Sequence, residues 1–138
     1  MTLHFHIQFV GALQIALALA HITFTRRFNW KEETARLSLL NRQIFYVHAT
    51  FICEVLILFG LLSLFCTDDL LTHSHLATFV LAGITFFWTL RWLCQFFVYD
   101  SRLWKGNRFN TNAHILFSAA WTYFVLVYAA ALWNQIHA

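Results

Sequence analysis

Residues Ile44 to Phe65 read IFYVHATFICEVLILFGLLSLF. A helix rises about 1.5 Å per residue, so about 20 apolar residues cross the hydrocarbon core of a bilayer. This stretch meets that length, with only His48 and Glu54 as ionisable groups apart from Tyr46 and Cys53. Three more stretches match it, giving expected spans at about 3–24, 44–65, 76–99 and 113–133. Backbone in lipid must satisfy its own hydrogen bonds, so each span is expected to be helical. The fold expected is all-α: one domain over residues 1–138, an antiparallel bundle of four transmembrane helices with short loops.

Composition agrees. Apolar and aromatic residues make up 60% of the chain, charged residues 11%, and proline is absent. A soluble domain of this length needs more polar surface to cover its core. Cys53 and Cys94 lie inside apolar runs and Cys66 at the end of one, in no metal or disulfide spacing, so they read as reduced packing residues. Met1 to His6 lacks a basic n-region, and the first span is expected to be retained rather than cleaved.

Charge placement orients the spans. The first connection carries Arg26, Arg27, Lys31, Arg36 and Arg42, and the third carries Arg102, Lys105 and Arg108. The second connection and both ends carry no lysine or arginine. By the positive-inside rule the first and third connections face the cytoplasm, and both termini lie on the outer, periplasmic side. The bilayer is then the first partner. The basic loops are explained by topology and anionic lipid, and no nucleic acid is expected.

The connections carry local signals. Asn29 and Glu32 resemble a capping box, Glu32 and Arg36 form a favourable pair one turn apart, and Asn110 or Thr111 is expected to cap the fourth helix. Gly106 reads as a turn residue, and Trp30, Trp104 and Trp133 as interfacial anchors.

A polar residue inside a span is costly and often functional. His21, His48, Arg91, Gln95 and His114 all fall in the cytoplasmic third of their spans, and every helix contributes. Arg91 and Gln95 share a face, with Trp88 one turn earlier, and His114, Ser118 and Trp121 form another stripe. The guanidinium cannot lose its charge and calls for an anionic group. Glu54 is turned about a third of a circle from His48, and is expected at the edge of the interior face near Tyr46 and Thr50.

His48 and His114 start parallel helices at similar depth, which suits the two axial ligands of a b-type haem, with Arg91, Arg42 or Arg108 on the propionates. His21, Arg91 and Gln95 would then pack round that cofactor or contact a quinone. Alternatives are a non-haem transition metal on His21, His48 and His114, or no cofactor, with the histidines hydrogen-bonding across the bundle. The outer His4, His6, His73, His75 and His137 read as interfacial side chains. The function expected first is a haem-binding electron-transfer subunit meeting quinone or a redox partner. The alternatives are a non-catalytic subunit of a larger membrane complex and, behind it, a metal enzyme or a small transporter using Glu54. No nucleophile–base pair, phosphate loop or dinucleotide fingerprint names an enzyme.

Asn41-Arg42-Gln43-Ile44-Phe45-Tyr46-Val47-His48, and Leu103-Trp104-Lys105-Gly106 followed by Phe109, Thr111 and His114, resemble an uncharacterised family of small four-span bacterial membrane proteins. The resemblance covers about half the chain and implies a bacterial inner membrane. The arrangement is also loosely similar to four-helix membrane b-type cytochromes, with only His48 and His114 as matching ligands and no second haem pair.

Overall fold

Helix ends are set by side chains that satisfy otherwise bare backbone N–H groups. In the computed structural model, which describes residues 2–104 and 106–137, Ser38 and Ser74 do this for two long helices, accepting from Asn41 N at 3.4 Å and Ala77 N at 3.0 Å. The elements in order are α1 (Leu3–Arg27), α2 (Trp30–Glu33), α3 (Leu39–Phe65), α4 (Thr67–Leu71), α5 (His75–Phe97) and α6 (Arg108–His137). Single 3-10 turns lie at Thr34–Arg36 and Ser101–Leu103. Helices α1, α3, α5 and α6 are long and apolar enough to cross a bilayer. The chain is an all-α, multi-pass membrane protein. Many threonine hydroxyls are satisfied by their own helix. Those of Thr50, Thr67, Thr89 and Thr122, for example, donate to the carbonyl one turn earlier.

Three local expectations need correction. Asn107, not Asn110 or Thr111, caps α6: its Oδ1 accepts from Asn110 N at 3.1 Å, so the helix starts at Arg108. Asn110 and Thr111 instead reach back to Leu103 O and Trp104 O, both at 2.8 Å. Asn29 makes no capping box. Its backbone is left-handed, at φ 48°, as it ends α1, and its side-chain amide donates to the Glu32 carboxylate. That contact occupies Glu32, which does not pair with Arg36. Gly106 does take the turn expected of it, at φ 82°, while Lys105 lies outside the described residues.

The chain forms two compact units, Gln8–Thr67 and Met1–Ile7 with Asp68–Ala138. In the first, α1 and α3 run antiparallel and meet backbone to backbone at Gly11 and Gly60. A Cβ at Gly11 would lie 2.8 Å from Gly60 O, and one at Gly60 would lie 2.6 Å from Ile15 Cγ1. Small interfacial residues permit such approach in lipid, where dispersion and polar contacts replace the hydrophobic drive.

The second unit packs differently. Gln95 meets His114 at one end and Ser74 N meets Gln135 at the other, so α5 and α6 are antiparallel. Its core is aromatic: Trp88, Trp121, Phe124 and Tyr128 are buried. Trp88 stacks on Trp121 at 5.1 Å and meets Phe124 edge-on at 4.7 Å. The first turn of α1 belongs to this unit, where His6 Nδ1 and Tyr123 OH share a 2.8 Å hydrogen bond and His4 lies 3.2 Å from Asp68.

Candidate functional site

Residues four apart on a helix lie on one face, and the run Arg91, Gln95, Tyr99 uses this spacing. On α5 the Arg91 Nη1 donates to Gln95 Oε1 at 3.3 Å, and its guanidinium carbon lies 5.5 Å from the Tyr99 ring centre. The side chain therefore runs toward the loop end of its own helix, where bare carbonyls favour a cation. Trp121 of α6 covers it: the guanidinium carbon is 5.0 Å from the indole centre, and Trp121 Nε1 donates to the same Gln95 oxygen at 3.2 Å. Cation–π contacts of this type are worth about 0.5–2 kcal/mol, rising with desolvation.

Gln95 is buried and fully engaged. Arg91 and Trp121 are donors only, so both need the Gln95 oxygen. The amide nitrogen is thereby turned to His114 Nδ1, 2.7 Å away. Amide nitrogen donates, so Nδ1 accepts and the ring proton sits on Nε2. Trp104 stacks on the imidazole at 3.9 Å. Trp104 is itself held by its carbonyl, which accepts from Thr111 Oγ1 at 2.8 Å. The residues Trp104, Thr111 and His114, noted together in the sequence, thus form one structural group. Trp104 is a lid on an imidazole as well as an aromatic near an interface. Tyr99 ends the span expected at 76–99, and its spacing of eight from Arg91 is the signal that puts both on one face.

This network has a charge to answer. Among the described residues no carboxylate pairs with Arg91; its partners are an amide and two aromatic faces. In the loop beyond α5, Asp100 accepts instead from Arg102, through N and Nε at 2.8 Å and Nη2 at 2.5 Å. These bonds hold the Asp100 carboxyl below its usual range.

The other expected site residues lie in the α1–α3 unit. His21 Nδ1 donates to Leu17 O at 2.8 Å, leaving Nε2 free. It lines a shallow groove of about 160 Å³ with Thr25, Trp30, Tyr46, Thr50 and Cys53. Tyr46 OH lies 3.3 Å from Thr34 Oγ1, whose own proton goes to Trp30 O at 2.7 Å, so the phenol is the donor. His48 is exposed, does not line this groove, and donates through Nδ1 to Ile44 O at 2.8 Å. Glu54 follows Tyr46 and Thr50 at helical spacing on α3, as expected, but it is exposed and does not line this groove.

The residues fit a haem unequally. His48 has a free Nε2. His114 has none for iron: Nδ1 is taken by Gln95 and Nε2 carries the proton. Reversing the Gln95 amide would free Nε2, but would set its nitrogen against the Arg91 and Trp121 donors. Among the described residues no three His, Cys, Asp or Glu side chains gather to hold a metal ion. The chain matches no family model, no curated protein and no solved structure, so these residues alone carry its functional reading.

Proposed function

We propose that the protein is a small non-catalytic component of a bacterial inner membrane that holds the phosphate of an anionic lipid at the cytoplasmic end of α5 and α6. Both termini are placed outside, following the basic residues of the first and third connections. The observation that carries the reading is Arg91, a cation inside an apolar helix held only by neutral partners. Gln95, Trp121 and Tyr99 aim it toward the helix end, where a headgroup phosphate lies. Arginine suits phosphate through its planar set of donors. Gln95, itself held by His114, is the positioning residue.

Arg91→Gln is the test, because it keeps length and polarity while removing the charge. Native mass spectrometry in detergent should show wild type retaining phosphatidylglycerol over phosphatidylcholine. The variant should lose about tenfold of that preference, a charge-assisted hydrogen bond being worth about 1.5–3 kcal/mol. Equal retention by both proteins would end the reading.

A redox role is the second reading, favoured by the free Nε2 of His48. In it haem b, exchanging electrons with quinone or a redox partner, takes His48 as a ligand. An oxidised and dithionite-reduced absorbance spectrum of the purified protein decides it. A Soret band that His48→Ala abolishes supports the role, and a featureless spectrum from folded protein removes it.

A further inference from the structure

Helix α3 carries two seams. One is inward: Tyr46, Ala49, Cys53, Leu56, Gly60 and Ser63 line the groove or are buried. The other is outward: Val47, Phe51, Glu54, Leu58, Leu61 and Phe65 are all exposed. Both alternate steps of three and four, the a/d pattern of helices that pack knobs into holes. At about 100° per residue the outward seam lies roughly 150° round the helix from the inward one. Helix α3 is also the least covered of the four, with 17% of its apolar window buried against 28% for α1.

An exposed apolar stripe in a membrane helix says nothing by itself, because lipid covers it as well as protein does. Glu54 changes this. It lies two residues past the midpoint of Leu39–Phe65, on the outward seam, and among the described residues it has no hydrogen bond or ion pair. A carboxyl at mid-membrane is expensive in lipid, and a partner across a helix interface lowers that cost.

We propose that a second copy of this chain occupies the outward seam of α3, with the two Glu54 side chains meeting at a two-fold axis. A two-fold interface is isologous, so a residue on the axis meets its own equivalent at the same depth. A carboxylic acid both donates and accepts, and two of them satisfy each other without any other group. The seam supplies apolar knobs on either side of that pair. The chain's single arginine inside a span, Arg91, turns its side chain toward the loop end of α5 and away from mid-span, so the copies do not pair Glu54 with arginine. One polar residue in an apolar seam sets register and oligomeric state.

The experiment measures the dimer fraction of purified full-length protein in detergent by native mass spectrometry across a dilution series. Three forms are compared: wild type, Glu54→Gln, which still donates and accepts, and Glu54→Leu, which does neither. Circular dichroism confirms that each is folded. Wild type and Glu54→Gln should dimerise alike, and Glu54→Leu should dissociate at a concentration on the order of tenfold higher. A wild type monomeric at every concentration would overturn the proposal, as would a Glu54→Leu dimer of wild-type strength. A different protein retained by wild type and lost in Glu54→Leu would overturn the second copy as occupant.

Discussion

The two helix pairs join by opposite means. In α1–α3, Gly11 and Gly60 bring the backbones so close that a single added carbon on either meets an atom within 3 Å. In α5–α6, large rings fill the contact: Trp88, Trp121 and Phe124 stack and interlock. The α1–α3 contact is built on glycine and Ser63, with Ile15 and Leu64 closed over the two glycines. Beside these rings, Gln95 links Arg91 to His114. Trp121 belongs both to the ring stack and to the polar network.

The largest break expected is Trp121→Ala. It removes a buried ring, the cation–π face over Arg91 and one of the donors to Gln95. Truncating a buried aromatic costs about 3–5 kcal/mol, which should appear as a large fall in the unfolding temperature in detergent. Loss of no more than one hydrogen bond's worth would mean that the rings do not hold the pair. Gly60→Val probes the other pair. The added carbons collide with Ile15 and the Gly11 carbonyl, and overpacking costs about 1–3 kcal/mol. An unchanged unfolding temperature would show that α1 and α3 do not depend on that approach. The smallest effect sharpens the contrast: Arg91→Gln should change stability by less than about 1 kcal/mol, because Trp121 and His114 still satisfy Gln95. Its effect should fall on lipid retention instead. A large loss of stability would make Arg91 a structural residue and weaken the proposed site.

Much of the site was readable from spacing. Arg91 and Gln95 sit four apart on one helix, and the structure brings His114 to them as expected. His21, expected in the same cluster, instead donates to Leu17 O and lines the groove of the α1–α3 unit. The outward placement of His48 and Glu54 was not legible, because a span that is apolar on every side has no hydrophobic phase from which to read an inner face. Gly11 and Gly60 gave no motif within either helix; their meaning lies in a register between two helices. The same holds for Trp104, whose stack on His114 depends on how the loop folds back.

By itself, the sequence determined the number of membrane helices, their helical nature and the layer of polar groups at their basic ends. The bilayer imposes length and internal hydrogen bonding on any spanning segment, so composition suffices for these. Only the tertiary structure decided which nitrogen of His114 accepts, which residues hold Arg91, and that α3 turns a carboxyl outward. Each depends on the rotation of one helix against another, and that rotation is set by side-chain shape and donor–acceptor geometry.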